Sequence, residues 1–189
     1  MAKRATVYFE QPGPANTEEA LELCRQRAAE LGIRCIVVAT TRGETAVRAA
    51  RIFAGYDLVA VTHATGFREA NTQELTAANR RRLKQAGVHI LTCTHALGGA
   101  GRAVRRKMGT YQVDEIIAYI LRLFGEGMKV AVEIALMAAD AGLVRTDEEI
   151  IAIAGTGQGA DTAIVLQPAH TQNLFDLRVL EILCKPRLR

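Results

Sequence analysis

The stretch Ile36-Val37-Val38-Ala39-Thr40-Thr41-Arg42-Gly43-Glu44-Thr45-Ala46 decides the fold. A short β-branched run that ends in Thr, Arg, Gly and then Glu-Thr-Ala reads as a strand followed by a polar loop at the N-terminus of a helix. The same order recurs in Val59-Ala60-Val61-Thr62-His63-Ala64-Thr65-Gly66 and in Ile90-Leu91-Thr92-Cys93-Thr94-His95-Ala96-Leu97-Gly98-Gly99. A fourth run, Ile151-Ala152-Ile153-Ala154-Gly155-Thr156-Gly157, ends the same way. As parallel strands, these runs gather their loops along one edge of one sheet. That edge is where an open α/β sheet binds its ligand, because helix N-termini and loop amides converge there.

Outward from these runs, Thr6 to Phe9 reads as a short strand. Asn16-Thr17-Glu18-Glu19 reads as an N-cap with a capping-box Glu, opening a helix that Gly32 stops. Strand Arg34 to Ala39, helix Glu44 to Ala54, strand Leu58 to Thr62, helix Thr72 to Ala86 and strand Val88 to Thr92 follow in βαβ rhythm. Two apolar helices, Val113 to Phe124 and Met128 to Ala141, then cover a sheet face or a partner subunit. Ile150 to Ala154, Thr162 to Gln167 and Leu177 to Leu183 are strands with too little sequence between them for helical crossovers, so antiparallel pairings are expected. The loop Gln11 to Asn16 either joins the crevice or lies at the far edge. No linker interrupts residues 1–189, which read as a single domain.

A chain of 189 residues, 49% hydrophobic, suits one substantial core. The 24 Lys and Arg against 20 Asp and Glu leave a mild net charge of +4, which suits an anionic small ligand as well as nucleic acid. Aromatic residues make up only 5%, and none interleaves with Arg80-Arg81-Arg82 or with Arg102, Arg105, Arg106 and Lys107. Those cations therefore read as solvated helix faces, and no nucleic-acid partner is expected. Cys24, Cys35, Cys93 and Cys184 form no CxxC pair and read as small buried hydrophobes. The N-terminus lacks the apolar stretch of a signal peptide, and Met128 to Val144 carries Glu133 and Asp140, so no membrane span and a cytoplasmic location are expected. With no serine, no GxxxxGK[ST] loop and no HExxH, serine nucleophiles and the corresponding phosphate-loop and zinc chemistries are excluded.

The stretch Ile36 to Ala46, followed by Leu58-Val59-Ala60-Val61-Thr62, resembles the C-terminal α/β domain of pyruvate kinase. Phe9 to Thr17 (FEQPGPANT), Thr94 to Gly99 (THALGG), Ala138 to Val144 (AADAGLV) and Ala154 to Thr162 (AGTGQGADT) extend the resemblance to stand-alone proteins similar to that domain. The resemblance implies a three-layer α/β/α sandwich with a mixed, mostly parallel sheet. Its halves would meet between the strands ending at Ala39 and Ala154, with Thr40 to Thr45 and Gly155 to Asp161 flanking the crevice. In pyruvate kinases the loop corresponding to Thr40–Thr45 grips a phosphate of the sugar bisphosphate effector. Pyruvate kinase activity needs a barrel domain, and a chain matching only the other domain is expected to lack that activity.

Thr40, Thr41, Arg42, Gly43, Glu44 and Thr45 offer three hydroxyls, a guanidinium and helix N-terminal amides, a set that matches a phosphate dianion. The alternative is an ordinary Gly turn with a Thr cap. Gly155, Thr156, Gly157 and Gly159 form a second Gly-rich loop, weaker alone because it leads into a strand. Thr65, Gly98 and Gly99 complete the set of candidate binding residues. Matched Thr-His-Ala loops on adjacent strands, about 5 Å apart, would bring His63 and His95 together, able to donate to a phosphate or a flavin ring edge. No Cys, Asp or Glu stands at ligand spacing beside either His, so no metal is expected. The leading reading is a binding protein for a phosphorylated small molecule, with flavin mononucleotide (FMN) a candidate through the resemblance. A second is an enzyme acting on a phosphorylated metabolite or using that flavin, with His63 or His95 as candidate catalytic residues in proton transfer. A third is an assembly subunit with a vestigial crevice. A homo-oligomer held by the helices Val113 to Phe124 and Met128 to Ala141 is expected.

Overall fold

The β-branched runs form the middle of a seven-stranded sheet. The strands are β1 (Val7–Phe9), β2 (Cys35–Ala39), β3 (Asp57–Thr62), β4 (His89–Thr92), β5 (Ile150–Ala154), β6 (Thr162–Gln167) and β7 (Arg178–Pro186). The computed structural model describes residues 3–187, with the strands in the order β1-β7-β6-β5-β2-β3-β4. β6 runs antiparallel to both β5 and β7, and every other pairing is parallel. The expected antiparallel pairings are therefore present, because the short turn between Ala154 and Thr162 leaves no room for a crossover. β2 lies between β5 and β3, with Val38 opposite Ile153 and Ala60. The topological switch falls between β2 and β5, as the resemblance implies.

Alternation along the strands builds two cores. Ile36, Val38, Leu58, Ala60, Ile151 and Ile153 pack against α1 (Thr17–Leu31), α2 (Glu44–Ile52) and α3 (Ala77–Gln85). Val37, Val59, Val61, Ile150, Ala152 and Ala154 pack beneath α6 (Glu126–Asp140). α4 (Ala100–Met108) and α5 (Val113–Arg122) complete that side of a three-layer α/β/α sandwich. Covered on both faces, β2 and β5 read as continuous apolar runs. Ile151 and Ile153 are fully buried, and truncating either to Ala costs about 2–5 kcal/mol.

Several expected boundaries shift for local reasons. α3 begins at Ala77 rather than Thr72, because the Thr76 hydroxyl caps it by accepting from the Asn79 N–H. The residues before it satisfy one another in turns: Gln73 Oε1 accepts from the Leu75 N–H at 2.8 Å, and the Thr72 hydroxyl donates to the Glu69 carbonyl at 2.7 Å. The capping box at Asn16 does not form, since Asn16 Nδ2 donates to the Gln11 carbonyl at 2.8 Å and a 3-10 turn, Pro14–Asn16, precedes α1. α6 is consumed almost entirely by the sheet, whereas α5 packs on α4 and α6. The four cysteines are free, Cys24 and Cys184 fully buried. Burial pushes the Cys184 thiol up to about 12 and Cys35 to about 11. No described helix is long and apolar enough to cross a membrane.

Candidate functional site

A cavity of about 1120 Å³ opens at the carboxyl ends of β2, β3, β4 and β5. On one wall stand Thr40, Thr41, Arg42, Glu44 and Thr45, with Thr40 and Thr45 buried yet bordering the cavity. The N-cap of α2 is Gly43, at φ 104°, and no side chain caps it, which leaves the first-turn N–H groups open. Of the alternative, an ordinary Gly turn with a Thr cap, the Gly turn is present and the Thr cap is not. The back of the loop is pinned to α3: the Arg42 carbonyl accepts from the Thr76 N–H at 3.3 Å and from Asn79 Nδ2 at 3.0 Å. Gly43 itself faces α3 rather than the cavity, where a Cβ would meet Asn79 Cβ at 2.6 Å and Leu75 Cδ1 at 2.7 Å. Its missing side chain is explained by this packing, not by close approach of a ligand.

The opposite wall is the β5–β6 hairpin, through Gly155, Gly157, Gln158 and Gly159. The fully buried Asp161 organises it: Oδ2 accepts from the Gly13 N–H at 2.9 Å and the Thr156 N–H at 3.1 Å, and Oδ1 from the Thr162 hydroxyl at 2.8 Å. Thr156 is spent on this contact and does not border the cavity. A Cβ on Gly159 would lie 2.4 Å from Pro14 Cα. The Thr17 hydroxyl donates to the Pro14 carbonyl at 2.7 Å and accepts from the Ala160 N–H at 3.0 Å. Pro14 and Thr17 consequently join the crevice, although β1 lies at the far edge of the sheet.

The third wall brings the two expected histidines together. The hydroxyls of Thr62 and Thr92, 2.7 Å apart, tie the ends of β3 and β4, and the His63 and His95 rings lie 5.5 Å apart. Phe67 lies 4.2 Å from His63 and stacks on His95 at 4.9 Å and 14°. Glu74 Oε2 sits 2.6 Å from His63 Nδ1, and its other oxygen pairs with Arg68. His95 is enclosed: its Nδ1 faces Glu133 Oε2 at 3.7 Å, and its Nε2 is buried with no hydrogen-bond partner. Burial holds the imidazole down to about 4, opposed by Glu133 and helped by Lys129, His63 and Arg102. Glu133 and Lys129 form a buried ion pair at 2.5 Å, and Glu133 Oε1 accepts from the Leu97 N–H at 3.0 Å.

Besides Gly43 and Thr156, three more expected residues stand apart from the cavity. Thr65 lies on an exposed turn. Gly98 sits against the Arg102 guanidinium, 2.7 Å from where its Cβ would be, and Gly99 sits against Thr94. Arg102 lies over the Phe67 ring at 5.2 Å. In total six cationic side chains, Arg42, Arg48, Arg68, Arg102, Arg122 and Lys129, border the cavity against four carboxylates, an excess that favours an anion. Among the described residues, no group of three His, Cys, Asp or Glu side chains is placed to hold a metal ion.

The family model of the pyruvate kinase alpha/beta domain matches residues 18–166, well over half of the chain. The chain belongs to the pyruvate kinase alpha/beta domain family. Among solved structures, it is similar to Cryptosporidium parvum pyruvate kinase at 14% identity and TM-score 0.42, covering 81% of this chain and 22% of that one. The same organism's pyruvate kinase in complex with ADP matches at 15% identity and TM-score 0.40, covering 87% and 24%. The chain thus spans less than a quarter of the length of these pyruvate kinases.

The family match takes in both crevice loops, both histidines and α6, but leaves out the wall formed by Pro14 and Thr17. Sequence reasoning also missed Phe67, Glu74, Arg102, Arg122, Lys129 and Glu133 as parts of this alpha/beta domain's crevice, and it placed Asp161 in a flanking loop without its organising role. One signal was available. Glu126, Lys129 and Glu133 recur at helical spacing in an otherwise apolar helix, and with Val130, Ile134 and Met137 they form the stripe of α6 that borders the cavity.

Proposed function

We propose that this chain binds a phosphorylated small molecule in the crevice, its phosphate on the Thr40–Thr45 loop and its remainder directed toward His63 and His95. The observation that carries the reading is the uncapped N-terminus of α2, whose open amides stand beside Thr40, Thr41, Arg42 and Thr45 at the cavity wall. The excess of cations around the cavity supports an anionic occupant, and its volume of about 1120 Å³ is ample for a molecule of nucleotide size.

FMN is the candidate occupant, and the residues fit it. The α2 terminus and the Thr hydroxyls suit the phosphate, while the rings of His63, Phe67 and His95 offer flat surfaces at the other end. Bound there, a flavin would supply hydride-transfer chemistry. Calorimetric titration tests the reading. Thr45→Ala removes one hydroxyl donor; a charge-assisted hydrogen bond is worth about 1.5–3 kcal/mol, so FMN affinity should fall about ten- to a hundredfold. His170→Ala, outside the crevice, should bind as wild type does. Equal affinity in Thr45→Ala, or riboflavin bound as tightly as FMN, overturns the proposal.

A further inference from the structure

His95 carries a demand that nothing within the described protein meets. Its Nδ1 edge faces the Glu133 carboxylate at 3.7 Å. Glu133 Oε1 takes the Leu97 amide and Oε2 the Lys129 ammonium, so the carboxylate is held in place. A carboxylate facing a ring nitrogen favours the tautomer with its proton on that nitrogen. With the proton on Nδ1, Nε2 is left with a lone pair and acts only as an acceptor. That same Nε2 is, among the described residues, a buried side-chain atom with no partner, and an unpaired buried acceptor is a standing cost to the fold.

The position of His95 says which part of a ligand would supply the missing donor. It follows β4, and the Thr40–Thr45 loop follows β2, with β3 between them. Two strand spacings amount to about 10 Å, the reach of a molecule whose phosphate sits at α2 and whose far end reaches the imidazole. The local charge says what kind of donor fits. Glu133 favours positive charge beside His95, while Lys129, His63 and Arg102 disfavour it, and Glu133 is already paired with Lys129, so a neutral N–H suits this acceptor better than an ammonium.

Resting on the phosphate-binding reading above, we infer that His95 is a specificity residue for the far end of the ligand, accepting at Nε2 a hydrogen bond from a neutral N–H on a flat heterocycle. The ligand class is accordingly a phosphorylated compound whose ring bears an amide- or imide-type N–H. Phe67 covers the imidazole in this structure, stacked at 14°, and it belongs to the segment 63–76, which contains no helix or strand. The Nε2 lone pair lies in the imidazole plane, so the ligand's N–H approaches at the ring edge, beside Phe67 rather than over the face it covers.

The test uses FMN, whose imide N3–H is such a donor, its 3-methyl derivative, which lacks it, and inorganic phosphate. Calorimetry on wild type and on His95→Phe should show FMN weakened roughly ten- to a hundredfold by the substitution, 3-methyl-FMN weak in both proteins, and phosphate unchanged. In wild type, the ¹⁵N resonance of His95 Nε2 should move toward that of a hydrogen-bonded acceptor on FMN saturation while Nδ1 stays protonated; this arm holds even if His95→Phe fails to fold. Equal FMN affinity in both proteins, equal affinity for FMN and its methyl derivative, FMN held no tighter than phosphate, or an unmoved Nε2 resonance each overturns the role of His95 while leaving phosphate binding intact. Failure of phosphate and FMN alike to bind wild type removes the phosphate reading itself, and this inference with it.

Discussion

The backbone N–H of Gly13 donates to Asp161 Oδ2 at 2.9 Å, joining the loop after the first strand to the hairpin between β5 and β6 across 148 positions of sequence. The same fully buried carboxylate takes the Thr156 amide and the Thr162 hydroxyl. Asp161→Ala leaves these donors buried without an acceptor, at about 1–3 kcal/mol for each group. We predict a loss of about 3–5 kcal/mol of stability, read from the midpoint of urea unfolding. Asp161→Asn, which keeps one carbonyl acceptor, should lose less. Equal stability of Asp161→Ala and wild type would show that water replaces all three contacts.

Gly43 holds a left-handed backbone, φ 104°, against the side chains of Asn79 and Leu75. Gly43→Ala adds a strained conformation and an overlap at 2.6 Å with Asn79 Cβ. The expected cost is about 2–5 kcal/mol. Circular dichroism melting should register it with no ligand present. The double variant Gly43→Ala, Leu75→Ala should recover part of the overlap but not the strain. A Gly43→Ala protein as stable as wild type would mean that the α2–α3 contact gives way freely.

Acid should weaken the fold through His95. Its imidazole titrates near 6.5 when unfolded and near 4 in the native crevice, where burial disfavours the charged form. Between those values the unfolded chain binds a proton that the folded chain does not, so stability falls as pH drops through that window. The difference amounts to on the order of 3 kcal/mol once pH reaches 4, and vanishes above 6.5. His95→Phe should flatten this part of the urea-midpoint profile between pH 4 and 6.5. An unchanged slope in that variant would assign the acid sensitivity to other groups.

α5 exposes Val113, Ile116, Tyr119 and Ile120 along one stripe, continued by Leu123 and Phe124. α6, by contrast, spends its apolar residues on the sheet. Any self-association through these helices therefore rests on α5. We predict a homo-oligomer at micromolar concentration in sedimentation equilibrium and a monomer for Ile120→Glu with its melting temperature unchanged. A monomeric wild type counts decisively against it.

The 189-residue chain matches the alpha/beta domain and contains no GxxxxGK[ST] lysine. Given phosphoenolpyruvate, ADP and magnesium, it should form no pyruvate above a heat-inactivated control. Magnesium-dependent pyruvate formation would overturn this.

The strands and their order of loops were legible because β-branched runs and the Thr-Gly punctuation after Ala39 are local signals, written within ten residues of one another. The pairing of His63 with His95 was legible for the same reason: two matching loops on neighbouring strands must end side by side. What Gly43 does was not legible. A glycine at a loop apex reads alike whether a ligand or Asn79 fills the space beside it, and only the docking of α3 decides between them. Asp161 looked like part of a turn, and its role appears only when Gly13 arrives from the other end of the chain. Glu74, Lys129 and Glu133 reach the histidines from segments 11 to 38 positions away. Local residue patterns specify the elements because hydrogen bonding and side-chain alternation act over a few residues. The site's charges and buried polar contacts form between segments distant in sequence, so only the tertiary structure decides them.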